Sequence, residues 1–317
     1  MADPSERLDA ATKTWQTSYQ QRRYLQHADN GELTQRLDDI FVNIIRFTDT
    51  GVAVAMAPLE LNPYSELLVH VMEEMRLRGW PDERFAVKRL HFDNAKYPSV
   101  INASNLWRRS KIPQGTHLFK YGKVRYLKPL LEVGVLRILP ASDYKKPSLN
   151  YAVRDSELEF TYESCSAKVH HPPNKDYAVP RSQWVEMPVI GSVKFTENLE
   201  HDYYISCFTS HYENRLFDDF EANACLVIKD IPRFKESLRS RMQEVLPSWT
   251  FSYRTVEYRD SYRMGTSRVN IVFTKHFRYA YQAEFRFAWV PQGKTEALKP
   301  IHLELGPLRD YCELLVL

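Results

Sequence analysis

The stretch that most constrains the fold is residues 275–291, KHFRYAYQAEFRFAWVP, where aromatic side chains crowd together. From residue 283 to 290 the pattern alternates with a period of two, which is the side-chain period of a β-strand. Its two faces would hold Phe285, Phe287 and Trp289 on one side, and Gln282, Glu284, Arg286 and Ala288 on the other. We expect a half-buried strand whose aromatic face enters the core.

Glu284 has two explanations within that pattern. Charged residues on a strand usually mark a solvated face, where Glu284 and Arg286, two positions apart, would simply pair. Alternatively, the rigid strand presents Glu284 to a cleft as an active-site carboxylate. The alternation alone leaves both explanations open, so the rest of the chain has to bear on the choice.

Composition is typical of a folded globular protein. The 317 residues are 44% hydrophobic, which is enough for a sizeable core. A net charge of +3 is too small to indicate a nucleic-acid-binding protein by itself. The four cysteines show no metal-ligand spacing, the N-terminus lacks an apolar signal region, and no apolar run reaches about 18 residues. We therefore expect a cytoplasmic protein with reduced thiols and no membrane segment.

The spacing of apolar residues changes near Pro113 from one typical of helices to one typical of strands. Before it, apolar residues recur at helical spacing over about 32–48 and again between the capping residues Asn62 and Gly79. After it, short segments typical of strands predominate. These differences predict an α+β protein: a mostly helical N-terminal domain, residues 1–110, and an α+β domain, residues 111–317, with a mixed or antiparallel sheet.

Within residues 111–317 the sequence predicts the following elements. Strands are expected near 116–121, 135–139, 202–208, 224–228, 251–258, 268–273, 284–290 and 302–305, and helices over 125–134, 148–160 and 231–245. The segment 164–182 is predicted to be a loop. Its His170 and His171 are interpreted as an exposed turn rather than a metal site, because no further ligand lies nearby in the sequence.

Polar side chains gather where the predicted strands begin or end, while familiar catalytic motifs are missing. The sequence has no glycine-rich phosphate loop, no GxSxG and no HExxH. The strand-end residues are His117, Tyr121, Ser206, Thr209, Ser210, Gln282 and Glu284. Strand ends that meet at one cleft can build a site from distant segments. Taken singly, His117 is also explained as a hydrogen-bonded strand histidine, and the Ser/Thr group as a helix cap.

Several short motifs over residues 116–290 resemble an uncharacterised bacterial family associated with abortive phage infection. They are HLFKYG, LLEVGVLRILPASDY, DSELEF, ISCFTS and YQAEFRFAW. Their order also resembles the ADP-ribosyltransferase fold. That resemblance places His117 on a first strand, Thr209 and Ser210 on a middle strand, and Gln282 and Glu284 on a late strand. The middle motif here is Cys-Phe-Thr-Ser, where that fold has Ser-Thr-Ser.

The resemblance implies a function and roles for these residues. Glu284 and Gln282 would be catalytic, and the NAD-binding residues would be His117, Tyr121, Tyr144, Ser206, Thr209 and Ser210, with no metal required. Breaking the nicotinamide–ribose bond develops positive charge on the sugar, which a fixed carboxylate stabilises. The implied protein is a toxin-like phage-defence effector that transfers ADP-ribose from NAD to RNA, DNA or protein. The sequence names neither the acceptor nor an antitoxin or chaperone partner, either of which such an effector can have.

Two other classes of function stay open. One is a nucleic-acid-binding or nuclease-like effector without NAD chemistry, since basic and aromatic residues are interleaved in places. The residues that support this function are Trp107, Arg108, Arg109 and the segment 253–263. The candidate metal ligands of a nuclease are Asp155, Glu157 and Glu159, but these three carboxylates also fit the solvated face of a helix. The other is a non-enzymatic interaction protein that would use the helical N-terminal domain as its partner surface.

Overall fold

The computed structural model describes residues 4–48, 52–55, 63–80, 98–113, 116–164, 169–171, 180–187, 191–263 and 269–317. The helices are α1 (Pro4–Arg22), α2 (Asn30–Ile44), α3 (Pro63–Leu77), α4 (Pro98–Arg109), α5 (Val124–Val133), α6 (Leu216–Asp219) and α7 (Ile231–Val245). Short 3₁₀ helices occur at Ala141–Lys145, Arg181–Gln183, Ile271–Phe273 and Phe277–Gln282. No helix in these ranges is long and apolar enough to cross a membrane.

The strands are β1 (Ile45–Phe47), β2 (Ala53–Ala55), β3 (Leu118–Gly122), β4 (Val135–Pro140), β5 (Glu159–Ser164), β6 (Val169–His171), β7 (Val185–Met187), β8 (Val193–Asn198), β9 (Tyr204–Thr209), β10 (Ala224–Ile228), β11 (Thr250–Thr255), β12 (Glu257–Arg259), β13 (Thr274–His276), β14 (Glu284–Val290), β15 (Ile301–Glu304) and β16 (Cys312–Val316). Eight of them form one sheet, ordered β11-β14-β9-β3-β10-β16, with β4 joining β9 and β15. Every pair in this sheet is antiparallel. The predicted α+β class with an antiparallel sheet is therefore confirmed.

The sheet is covered on both faces around β14. One face packs Phe287 and Trp289 into the main core together with Phe208 and Leu226. On the opposite face, Arg286 and Ala288 have no exposed surface. The 3₁₀ helices Ala141–Lys145 and Ile271–Phe273 contribute the residues that pack there. The expectation of a half-buried strand is therefore wrong, and so is the explanation in which its polar face is solvated: β14 is an interior strand covered on both faces.

The sheet forks beside β9. The ladder between β4 and β9 ends at Ile205, and the ladder between β3 and β9 consists of the pair Phe119 and Thr209. Between these points β3 and β4 diverge, because β4 turns away to pair with β15 while β3 continues alongside β10. The divergence leaves the middle of β9 facing a gap in the described structure. This gap positions the candidate site.

The N-terminal helices support the segment that leads into β14. Helix α2 begins with a capping box between Asp29 and Glu32, a device that stabilises a helix by about 1 kcal/mol. Helices α1, α2 and α3 share a buried core that includes Phe277. The Asn43 side-chain amide donates to the Phe277 carbonyl at 3.1 Å and accepts from the Tyr281 N–H at 2.8 Å. The helices thereby fix the 3₁₀ turn from which β14 emerges.

Helix α4 packs elsewhere, against the sheet. Its Ala103 and Trp107 join a cluster with Phe119 and Phe217. The sheet therefore receives contacts from residues on the N-terminal side of residue 110. The proposed division into domains 1–110 and 111–317 stays a prediction.

Local signals were correct in some segments and wrong in others. Helix 231–245, strand 224–228 and the helix stop at Gly134, whose φ is +80°, are confirmed. The helix expected over 148–160 is wrong, because the Asn150 side chain accepts from the Ala152 and Val153 N–H groups and forms a turn before β5.

Two further segments also differ from expectation. In the described part of the strand expected over 268–273, Ile271–Phe273 forms a 3₁₀ helix, which β13 follows. The loop expected over 164–182 is wrong at Val169–His171, because these residues form β6. Their partner strand β7 supplies backbone hydrogen bonds, which the local sequence does not indicate. The other half of the proposed turn, Pro172 and Pro173, lies outside the described residues.

Candidate functional site

A cavity of about 70 Å³ lies at the fork, where β3, β9 and β14 meet. It is lined by Phe119, Lys120, Tyr121, Cys207, Phe208, Thr209, Phe220, Gln282 and Glu284. Register explains the meeting, because Glu284 lies opposite Thr209 on one side of β9 and Phe119 lies opposite Thr209 on the other. Side chains at paired positions share a face of the sheet. Three segments far apart in sequence therefore converge on one spot.

The turn before Glu284 is tightly specified. Ala283 adopts a left-handed conformation with φ of +45°, which is unfavourable by about 1 kcal/mol for a residue with a Cβ. Its carbonyl accepts hydrogen bonds from the Ser210 N–H at 2.9 Å and the Ser210 hydroxyl at 3.0 Å. The Glu284 N–H donates to the Tyr258 hydroxyl at 2.7 Å. These bonds hold Glu284 and Gln282 on opposite sides of a strained residue.

Glu284 belongs to a buried ion network. Lys275 Nζ lies 2.9 Å from one carboxylate oxygen, and Arg286 Nε lies 2.5 Å from the other. The same two cations reach a second carboxylate, Glu157, at 2.7 Å from Arg286 Nη2 and 3.5 Å from Lys275 Nζ. No side chain among these four is more than 5% exposed. Glu284 and Arg286 do pair, but in the interior and not on a solvated face.

The surroundings of Glu284 and Glu157 shift the pKa values of these two carboxylates in opposite directions. Burial by itself would raise the pKa of Glu284, but Arg286 and Lys275 outweigh it and hold that pKa well below its usual range. For Glu157, burial dominates over the same two cations and raises the pKa. Despite their burial, Lys275 and Arg286 have raised pKa values because the carboxylates surround them. Glu284 is therefore an ionised, immobile carboxylate beside the cavity.

Lys120 and Cys207 complete the wall at the fork. The Lys120 ammonium donates to the Cys207 carbonyl at 3.0 Å and lies 4.5 Å from the centre of the Phe208 ring. It thus occupies the gap where β9 has no ladder partner. Burial lowers the pKa of Lys120 and raises that of the Cys207 thiol. The thiol is held in its protonated form and is a poor nucleophile in this state.

Four of the eight residues proposed from the sequence line the cavity, namely Glu284, Gln282, Tyr121 and Thr209. The Gln282 amide donates to the Ala152 carbonyl at 2.8 Å. The Tyr121 hydroxyl accepts from the Glu213 N–H at 2.8 Å, and the Thr209 hydroxyl donates to the His211 carbonyl at 2.8 Å. Each polar group is thereby oriented by the backbone of a neighbouring loop.

The other four lie around the cavity without lining it. Ser210 holds the turn at Ala283, and Tyr144 packs beside Tyr203 on the face that carries the ion network. The Ser206 hydroxyl is buried without a hydrogen-bond partner among the described residues, opposite Phe287. His117 Nε2 lies 2.8 Å from the Pro113 carbonyl, which favours the local structural explanation for that residue.

Sequence reasoning missed several residues of this site. Cys207 and Lys275 were not proposed as site members, Lys120 was noted at a strand end without a role, and Glu157 was considered only as a metal ligand of the nuclease-like alternative. Lys120 gives the only local signal, because a lysine within a strand of hydrophobic residues demands a partner. The alternative explanation of Glu157 as part of a solvated helix face is wrong, because this residue is 3% exposed and bound to Arg286. Its role became visible only when 148–160 was seen to form a turn that reaches the sheet.

Several of the residues that favoured nucleic-acid binding make contacts within the protein. Trp107 stacks on Tyr212 with ring centres 4.4 Å apart. Arg254 lies 4.5 Å from the centre of the Phe273 ring, and Arg263 pairs with Glu66 at 3.1 Å. Within the part of the chain that the structure describes, no group of three or more His, Cys, Asp or Glu side chains is arranged to hold a metal ion.

No family model matches the chain, and no curated protein or solved structure matches it. The chemistry of the site is therefore inferred from its own residues.

Proposed function

We propose that the protein is an NAD-dependent ADP-ribosyltransferase with Glu284 as its catalytic carboxylate, acting on a macromolecule as a toxin-like phage-defence effector. One observation carries the proposal: Glu284 is an ionised carboxylate fixed on a central strand, at the wall of a cavity that also contains Gln282, Thr209 and Tyr121. The three strands that the resemblance assigns to the site are neighbours at the centre of the sheet. Perturbed ionisable groups beside a cavity are typical of functional sites.

The reaction suits a fixed negative charge. The bond between the ribose carbon and the nicotinamide nitrogen breaks, and its electron pair leaves with nicotinamide as a neutral molecule. Positive charge develops on the sugar, and the Glu284 carboxylate stabilises it without reorganising. The acceptor nucleophile then bonds to the sugar carbon and gives up its proton to solvent. On this proposal the Gln282 side chain orients the acceptor.

The cavity must widen before NAD enters. At about 70 Å³ it is well below the roughly 300–1,000 Å³ of typical small-molecule sites. Lys120 is the side chain that crosses the fork, held there by one carbonyl and one aromatic ring. On this proposal the Lys120 side chain swings out as the nicotinamide end of NAD enters. The flexible lysine stem makes that motion less costly than a shift of the surrounding strands.

The test compares two carboxylates of the same network. Glu284→Gln and Glu157→Gln each remove one negative charge from Lys275 and Arg286, but only Glu284 lines the cavity. Purified wild type and both variants are mixed with labelled NAD and cell lysate, and label is followed separately into protein, RNA and DNA. We expect Glu284→Gln to lose about a hundredfold or more in turnover, and Glu157→Gln to lose less.

Thermal unfolding of both variants provides the control for folding. Because the fold lowers the pKa of Glu284 and raises that of Glu157, we expect Glu157→Gln to lose less stability, so turnover is compared per folded molecule of each variant. Label in none of the three fractions would contradict the proposal. Equal losses of turnover in the two variants would mean that the network supports only the fold.

A further inference from the structure

A second and larger cavity adjoins the candidate site. It is a groove of about 710 Å³ between β3, helix α5, the start of β4 and residues next to β15. This volume lies within the range of known ligand sites. Lys120 and Tyr121 line both the groove and the small cavity. A molecule in the groove would therefore reach the two residues that border the cavity of Glu284.

The groove carries positive charge and no negative charge. Its lining includes the cations Lys120, Arg125 and Arg137, and none of its described lining residues is a carboxylate. Arg137 and His302 are cross-strand partners of β4 and β15, so their exposed side chains lie side by side. Within the described part of the chain, neither Arg125 nor Arg137 forms a salt bridge. The charge of both guanidinium groups is thus available to a ligand.

One wall of the groove bears an exposed aromatic ring. Tyr126 is 62% exposed, although tyrosine rings usually bury most of their surface. The Arg125 guanidinium lies 4.8 Å from the centre of that ring. An aromatic ring and a planar guanidinium beside further cations are the surface on which unpaired bases stack while the phosphates are neutralised. Leu127, Leu130 and Leu136 supply an apolar floor.

We propose that this groove binds single-stranded nucleic acid. Its role as the acceptor of ADP-ribose rests on the proposed function, whereas the binding itself does not. A duplex keeps its bases stacked inside and would leave Tyr126 without a partner, which favours a single strand. The ADP half of NAD has similar chemistry. However, Arg125 and Arg137 are exposed and lie on different elements of the groove, which suits a phosphate backbone better than one enclosed diphosphate.

The experiment measures binding without NAD. Labelled single-stranded RNA and DNA of about 12 nucleotides, within the usual site sizes, and a duplex of the same sequence are titrated with protein while fluorescence anisotropy is recorded. The variants are Arg125→Ala, Tyr126→Ala and Arg137→Ala. The matched control is Arg241→Ala, which removes an exposed arginine of α7 outside the groove. Because the altered side chains are exposed, all four variants should fold.

We expect single strands to bind more tightly than the duplex. Tyr126→Ala should weaken binding about tenfold or more, as for other stacking side chains. Each arginine variant should weaken binding and make it less sensitive to salt, by about one in the slope of log affinity against log salt concentration. Arg241→Ala should match the wild type. A second titration adds ADP-ribose as competitor, which should not displace the strand at concentrations near the Kd of the oligonucleotide.

The outcomes separate this proposal from the catalytic one. Absence of oligonucleotide binding, equal binding by wild type and the three groove variants, or preferential binding of the duplex would overturn the groove assignment. Displacement by ADP-ribose would assign the groove to NAD instead of the acceptor. Groove-dependent binding with no transfer of label from NAD would keep the groove and remove the proposed enzyme. Transfer of label to protein alone would overturn the acceptor role.

Discussion

Two buried glutamates can be compared, Glu74 among the N-terminal helices and Glu284 in the large sheet. In the helices, Glu74 has no exposed surface and pairs with Arg23 at 2.9 Å and Arg78 at 2.7 Å. Those arginines remain 40% and 20% exposed. In the sheet, Glu284 is also buried, and its partners Arg286 and Lys275 are 0% and 5% exposed.

The exposure of the partner cations indicates which of the two buried carboxylates belongs to a candidate functional site. The arginines around Glu74 keep contact with water, so the pairing costs little and is explained by its contribution to helix packing. Arg286 and Lys275 are desolvated, which costs several kcal/mol per ion even after the surrounding protein relaxes. A cavity also lies beside Glu284. Burial of a glutamate is therefore common to both regions, while complete burial of its partners next to a cavity distinguishes the candidate site.

The most direct test of this difference compares the stability losses caused by two matched substitutions. Glu284→Gln removes a charged partner from the desolvated cations Lys275 and Arg286, so it should lower the free energy of unfolding by about 3–5 kcal/mol. Glu74→Gln leaves arginines that can turn toward water, so its cost should be about 1–2 kcal/mol. Urea unfolding of each variant, followed by circular dichroism, gives both values. If Glu74→Gln costs as much as Glu284→Gln, exposure of the partner cations does not separate the two regions.

The pH dependence of stability sharpens the same comparison. Burial lowers the pKa of His70, among the N-terminal helices, from 6.5 to about 4, and it does the same to His276 where those helices meet the sheet domain. The unfolded chain binds these protons first as pH falls. The stability contribution of each histidine is therefore complete above about pH 6.5 and is lost toward pH 4, by about 3 kcal/mol.

Unfolding titrations between pH 7 and pH 4 check this expectation. His70→Gln should reduce the slope over that range by the share due to this histidine, while the share due to His276 remains. The lowered pKa of Glu284 matters only at more acidic pH, since that carboxylate is ionised in both the folded and unfolded states above about pH 5. A His70→Gln variant with an unchanged slope would show that this histidine is not held neutral by burial.

The smallest expected effect concerns Ser206. Its hydroxyl is buried without a hydrogen-bond partner among the described residues, and it points away from the face that carries Glu284. Removing an unsatisfied polar group costs nothing in hydrogen bonds, so Ser206→Ala should change stability by less than about 1 kcal/mol, toward greater stability. Turnover of NAD should stay near the wild-type value. A large loss of turnover with an intact fold would restore the NAD-binding role that the resemblance implied for Ser206.

The sequence by itself determined the features that depend on local physics. Alternation over 283–290 identified β14 and showed which residues share each of its faces, because a strand has a fixed side-chain period. The glycine at 134 identified the end of α5, because a left-handed residue ends a helix and glycine adopts that conformation at least cost. Such signals depend only on residues a few positions apart.

Only the tertiary structure decided what each face meets. Whether Glu284 faced water or the interior depended on segments near residues 141 and 271 that pack over β14, and no local pattern records that packing. Glu157 reached Arg286 because the Asn150 side chain turned the chain away from a helix. Lys120 entered the site because β3 and β4 diverge beside β9. Burial, ion pairing and the cavity arise from contacts between distant residues, which are fixed when the sheet assembles and not before.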